Sequence, residues 1–216
     1  MDYNNAALTP NAADGNLRIG ANEAGTGSEY DGNFGELIMY DFALAASDRQ
    51  KIETYLAIKW GITLDGDNDG DGTDHEASNA EGIAEGDYVD ADDNVIWDAS
   101  ANSTYSVSIA GIGVDADEGL DQKQSNSINS GVQPVIGNAD EIAADNSSHT
   151  TSIAVDQSYL IWGCDGTSTE FATAFSSGTM NYRMTRIWKV QQSGTVGSVK
   201  VAILQSDVPG NVESPY

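Results

Sequence analysis

The stretch Asp65-Gly66-Asp67-Asn68-Asp69-Gly70-Asp71-Gly72-Thr73-Asp74-His75-Glu76 constrains this chain more than any other. It places six carboxylates in twelve residues with no Lys or Arg among them. Such a segment cannot join an apolar core, and drawing it together sets like charges at contact distance unless a cation or water separates them. The acids are also in phase. D-x-[DN]-x-[DN]-G-x5-E fits from Asp65 to Glu76 without a gap, which is the ligand spacing of a calcium loop. In that register Asp65, Asp67 and Asp69 supply side-chain oxygens and Gly70 makes the sharp turn. Asp71 offers its backbone carbonyl, and Glu76 closes the shell with both oxygens. A register starting at Asp67 puts Gly72 at the turn but Ala77 at the closing position, and so lacks the bidentate carboxylate.

A solvated acidic linker has no use for this order of aspartates and glycine, so the expectation is one Ca2+ bound by Asp65, Asp67, Asp69, Asp71 and Glu76. Gly72 stands where an apolar residue is usual, and Ala77 to Gly86 makes a poor exit helix. The segment therefore resembles the calcium loops of extracellular modules more than a paired regulatory EF-hand.

Charge points to the same setting. Asp and Glu number 34 against 9 Lys and Arg, a net charge of −25, and no basic residue stands between Lys59 and Lys123. A field of that sign repels nucleic acid and anionic lipid. Salt screens its self-repulsion over about 8 Å, which suits a saline exterior.

With 216 residues, 39% of them hydrophobic, the chain can bury one good core or two small ones, and two are expected. Cys164 is the only cysteine, so no internal disulfide forms and the fold rests on packing and metal. Met1-Asp2-Tyr3-Asn4-Asn5 has neither a basic nor an apolar leader region, and no apolar run is long enough to span a bilayer. Polar coil opens the chain and a loop-like tail from Val208 to Tyr216 closes it. Both read as cuts in a longer modular protein, with any export signal outside this sequence.

Between those ends the pattern is mostly β. Short strands are expected at Leu17 to Ala21 and Glu36 to Tyr40. A helix is expected over Ser47 to Trp60, where Ser47 and Gln50 form a capping box, Ile52, Tyr55, Leu56 and Trp60 share a face, and Gly61 supplies a left-handed C-cap. Further strands are expected at Asn94 to Trp97, Val107 to Val114, Val132 to Ile136, Ser158 to Gly163, Tyr182 to Gln191 and Val196 to Leu204. Short strands punctuated by Gly, Ser, Asn and Asp argue for a mainly β fold, an antiparallel β-sandwich with one α-helix.

Two resemblances follow from longer phrases. Gly32-Asn33-Phe34-Gly35-Glu36-Leu37-Ile38-Met39-Tyr40-Asp41-Phe42-Ala43-Leu44, with Asp48-Arg49 and Tyr55-Leu56-Ala57-Ile58-Lys59-Trp60-Gly61-Ile62-Thr63-Leu64, resembles the C-terminal end of bacterial laminin-G-like (concanavalin-A-like) jelly rolls. From about Tyr88 the chain is similar to a domain of unknown function that often follows that jelly roll in bacterial surface proteins. The matching phrases are Val95-Ile96-Trp97-Asp98, Ile109-Ala110-Gly111-Ile112-Gly113, Leu120-Asp121-Gln122-Lys123-Gln124-Ser125, Tyr159-Leu160-Ile161-Trp162-Gly163 and Arg183-Met184-Thr185-Arg186-Ile187-Trp188-Lys189-Val190. Together they imply a jelly-roll remnant over 1–64, an acidic calcium connector over 65–86 and a sandwich over 87–216. Location and architecture are implied, not chemistry.

Catalysis is not expected. His75 lies in the acidic loop and His149 in polar coil, where a surface position is expected. Neither has a nucleophile and an orienting group beside it. Cys164 follows a strand and reads as a buried or idle thiol. The strand containing Glu36 cannot supply the paired carboxylates of a glycosidase. Trp60, Trp97, Trp162 and Trp188 read as core rather than as sugar platforms. On a continuous strand Arg183 and Lys189 would share one face and Arg186 the other. The expected function is that of a structural or adhesive module of a secreted or surface-displayed bacterial protein, with an unknown ligand, a glycan or another surface protein, and calcium stiffening its connector. The alternative is a carbohydrate-binding module, accessory to a glycosidase.

Overall fold

A computed structural model describes residues 31–32, 35–64, 86–177 and 180–204. The chain divides into two compact units, Met1–Ala43 and Leu44–Tyr216. In the first, residues 35–43 carry no helix or strand, so the strand expected at Glu36 to Tyr40 is absent, although the Tyr40 and Phe42 rings meet edge to face at 5.9 Å. That segment is rich in apolar residues but has no pairing partner among the described residues to turn an extended run into a strand. Leu17 to Ala21 lies outside the described residues.

The second unit is mainly β with one helix, α1 (Ala46–Trp60). Its strands are β1 (Tyr88–Val89), β2 (Val95–Trp97), β3 (Val107–Asp115), β4 (Leu120–Gln122), β5 (Gln124–Ser125), β6 (Val135–Asn138), β7 (Ser158–Cys164), β8 (Thr173–Ser177), β9 (Met180–Arg183), β10 (Trp188–Ser193) and β11 (Val199–Ala202). All pairings are antiparallel. The central sheet runs β10-β7-β3-β4, a second sheet runs β11-β6-β5, and β1-β2 and β8-β9 are hairpins.

Every residue of β7 is buried and most of β3 is too, because the central sheet is covered on both faces. On one face Ile109, Tyr159 and Ile161 pack with Ala57 and Ile58 of α1 and with Tyr88, Ile96 and Trp97 of the first hairpin. On the other, Ala110, Ile112, Leu160 and Trp162 pack with Ile136, Ile153 and Val196 under the second sheet. Burial on both faces replaces the alternation of a half-exposed strand with a continuous apolar run. Cys164 closes β7 as a buried free thiol, and no helix among the described residues is long and apolar enough to cross a membrane.

The helix differs from its expected form. Ala45 is its N-cap with no side-chain bond, so the Ser47–Gln50 capping box does not form. Gln50 is drawn away because its Nε2 donates to the Asp87 carbonyl at 2.9 Å. The buried stripe is Gln50, Thr54, Ala57 and Ile58, and Trp60 is 40% exposed, so the face is turned from the one expected. Thr54 Oγ1 accepts the Val89 N–H at 3.0 Å, so two polar side chains occupy the backbone edge of β1 that β2 leaves unpaired. The end of the helix is as expected: Gly61 is left-handed (φ 63°), and its N–H and that of Ile62 bond the Ala57 carbonyl. A Cβ at Gly61 would stand 2.1 Å from the Asn126 carbonyl oxygen, so close approach as well as backbone angle requires glycine. The helix, grouped in the sequence with the residues before it, thus shares its core with the sandwich.

Strand limits shift where polar residues intervene. Tyr182 to Gln191 is broken at Met184–Ile187 into the end of β9 and the start of β10, and β4 and β5 fall within Leu120-Asp121-Gln122-Lys123-Gln124-Ser125. Replacing Thr54 with Val keeps shape but leaves the buried Val89 N–H without its acceptor. Urea unfolding of Thr54→Val should show a loss of about 1–3 kcal/mol, and an unchanged midpoint would mean the helix is held by apolar packing alone.

Candidate functional site

The residues expected to bind calcium, Asp65, Asp67, Asp69, Asp71 and Glu76, lie outside the described residues, as does His75. What the structure does describe is how residues 61–64 and 87–89, on either side of the stretch 65–85 that contains them, are held. Each residue of Gly61-Ile62-Thr63-Leu64 is tied to a distant part of the second unit. The Gly61 carbonyl accepts the Ile128 N–H at 3.0 Å, and Thr63 Oγ1 accepts the Ile109 N–H at 2.9 Å. Tyr88 Oη accepts the Leu64 N–H at 3.0 Å and donates to the Ile62 carbonyl at 3.3 Å. The Tyr88 ring is fully buried, which raises the pKa of its hydroxyl and keeps it protonated. On the far side, Gln50 and Thr54 clamp Asp87 and Val89. Residues 61–64 and 87–89 are therefore fixed to one packed body, and the Tyr88 side chain bridges them.

A second acidic group was not foreseen. Asp90 from the β1–β2 turn, and Asp115 and Glu118 from the β3–β4 turn, come together from segments that the sequence separates. Asp115, fully buried at the end of β3, accepts hydrogen bonds from Tyr159 Oη at 2.5 Å, from the Ala91 N–H at 3.1 Å and from the Asp117 N–H at 3.1 Å. Asp90 accepts the N–H groups of Asp92 and Asn94 at 3.0 and 2.8 Å and the Asn94 side-chain amide. That binds the hairpin turn in which Asp93 is left-handed (φ 64°). Lys51 of α1 reaches across to Asp93 at 2.9 Å. Burial, then the hydrogen bond to Asp115, raise the Tyr159 pKa far above its ordinary range.

Glu118 differs in kind. Both its oxygens are buried without a hydrogen-bond partner, and desolvation, then the charges of Asp115 and Asp90, push its pKa up to about 8 despite Lys51. The shift favours its protonated form toward neutral pH. Among the described residues no group of three or more His, Cys, Asp or Glu is arranged to hold a metal ion. Asp90 and Asp115 are held by backbone donors, the Asn94 amide and the Tyr159 hydroxyl, and Glu118 is buried beside them without a hydrogen bond.

The remaining expected groups are dispersed. His149 is buried rather than on the surface, with Nδ1 3.6 Å from Glu141 Oε2, because the loop that carries it folds back over β5 through Lys123 and Asn146. Glu141 also accepts the Thr150 hydroxyl at 2.6 Å, the leading reason its pKa is lowered. The break between β9 and β10 removes the expected alternation of the basic residues. Arg186 Nε donates to the Thr167 carbonyl at 2.8 Å, with its guanidinium 6.0 Å from the Trp188 ring centroid. Arg183 donates to the Met184 carbonyl at 3.1 Å, and Lys189 bonds Asn102. Trp97 and Trp162 are wholly buried and Trp188 partly so.

Because Glu118 is protonated more readily folded than unfolded, its contribution to stability is full below about pH 4.5 and is lost as pH rises toward about 8. Glu118→Gln should therefore raise the melting temperature at pH 8 and change it little near pH 4. After discounting for solvent at this half-buried site the gain is about 1 kcal/mol, or roughly 2–4 °C. Equal shifts at both pH values would show that the carboxyl does not titrate in that window.

Residues 48–216 match one family model, described as a domain of unknown function (DUF8202). No curated protein and no solved structure matches the chain.

Proposed function

The chain belongs to the DUF8202 family, and we propose that it is a non-catalytic structural or adhesive module of a secreted or surface-displayed bacterial protein whose acidic loop is closed by calcium. The observation that carries this reading is the anchoring, by Tyr88, Gln50 and Thr54, of residues 62–64 and 87–89, which flank the longer stretch 65–85 that contains Asp65 to Glu76. A loop whose ends are already fixed has less chain entropy left to lose on closing round an ion. Calcium then supplies the charge that six neighbouring carboxylates require.

The anchoring also changes what calcium does. Both flanks belong to one unit, so on this reading the ion stiffens a segment within that unit rather than a linker between two. The laminin-G-like tail, read from the phrase Gly35-Glu36-Leu37-Ile38-Met39-Tyr40, belongs on this view to the residues ahead of α1. The surface setting is supported by the net charge of −25 and by the kind of calcium loop the sequence resembles.

Titration calorimetry of the full chain should show one saturable calcium site with a dissociation constant of about 10⁻⁴ to 10⁻³ M. At a free calcium of about ten times that constant the stabilisation is about 1.4 kcal/mol. Proteolysis within residues 65–85 should slow with calcium while cleavage elsewhere does not change. Asp65→Ala and Glu76→Ala should each abolish the heat and the protection. Asp93→Ala, whose partner is Lys51, should abolish neither. No saturable heat at millimolar calcium, or a response that survives both loop substitutions, would leave the segment a solvated acidic arm.

A further inference from the structure

Lys189 lies on β10 opposite Gly163 of β7, and the surface above Gly163 is formed by the Tyr105 carbonyl, Ile109 and Trp97. Lys189 Nζ lies 6.0 Å from the Tyr105 ring centroid, in contact with the side-chain oxygen of Asn102. Asn102 is only 1% exposed and caps the short 3-10 turn Ser103–Tyr105. Its backbone and its side chain are each held. The Asn102 backbone N–H donates to the Asp98 carbonyl at 3.0 Å, and Nδ2 donates to Gln191 Oε1 at 3.0 Å. Gln191 is itself held by Nε2 donating to the Ile96 carbonyl at 2.8 Å. The amide nitrogen therefore faces Gln191 and the carbonyl faces the lysine. No carboxylate hydrogen-bonds or pairs with Lys189 among the described residues, which sets it apart from Lys51, bound to Asp93.

We propose that Lys189 and Asn102 react after folding to form an intramolecular isopeptide bond. The deprotonated amine attacks Asn102 Cγ, the Nζ–Cγ bond forms, and the Cγ–Nδ2 bond breaks. The leaving nitrogen departs as ammonia, which takes up the proton the lysine ammonium gave to solvent. The exchange is lysine ammonium plus primary amide to secondary amide plus ammonium ion, and needs neither oxidant nor reductant. The fold supplies proximity, which for well-oriented intramolecular groups is equivalent to effective concentrations of about 10⁵–10⁸ M. Gln191 acts as a positioning residue that holds the leaving nitrogen away from the amine. The bond would link β10 to the turn between β2 and β3, in a chain whose single cysteine rules out an internal disulfide.

The full chain, folded and incubated with EDTA so that calcium plays no part, should have an intact mass lower than its sequence mass by one ammonia. A tryptic digest should contain a branched peptide in which Lys189 is uncleaved and joined to the peptide bearing Asn102. Lys189→Met should restore the full mass and the ordinary peptides. A succinimide at Asn102-Ser103 also loses ammonia, but that loss would persist in Lys189→Met and would overturn the proposal. So would a full sequence mass in the folded wild-type chain. The branched wild-type peptide decides the matter even where a variant fails to fold, and the readout is independent of the calcium titration.

Discussion

Two side chains on one helix face, Gln50 and Thr54, do for β1 what a neighbouring strand would otherwise do. A two-residue strand paired on one side exposes backbone groups on the other, and burying each of those unpaired costs about 1–3 kcal/mol. With the Asp87 carbonyl and the Val89 N–H satisfied by the helix, Tyr88 and Trp97 can be wholly buried beneath it. The position of α1, the packing on that face of the central sheet and the anchoring of the acidic segment all follow from this polar docking.

At the other end of the same hairpin, Asp115 performs a comparable task with a charge. Its carboxylate collects donors from β7 and from the turns on either side, so three connections converge on one buried group. The neighbouring Glu118 is driven to keep its proton by the company of Asp115 and Asp90. An acidic protein has few cations to spare, and here Asp90 and Asp115 are served by backbone N–H groups and the Tyr159 hydroxyl, while the one ion pair at the turn, Lys51 with Asp93, goes to their neighbour.

How far the sequence reveals this depends on how local each signal is. The long runs Val107 to Val114 and Ser158 to Gly163 are legible because burial on both faces leaves an unbroken apolar word, and the Gly61 C-cap because its chemistry is confined to one turn. The helix face is not legible: its decisive residues are polar, and their worth lies in partners more than thirty positions away. The strands β4 and β5 are hidden for a similar reason. Gln122 and Gln124 are buried, and they bond backbone groups as strands do, through the Gln124 and Ala143 carbonyls. The calcium loop is legible as a motif, whereas the Asp90, Asp115 and Glu118 group has no motif because the fold gathers it from separate turns.

The stitching of Gly61 to Leu64 on one side and of Asp87 to Val89 on the other has an evolutionary consequence. Doubling the length of a flexible loop between fixed ends costs only about 0.6 kcal/mol, so natural variation can lengthen, shorten or replace what lies between them almost freely. Relatives can be expected to keep the tyrosine, the glutamine and the threonine while the residues between 64 and 86 vary in length and chemistry, so that the same frame serves more than one insertion.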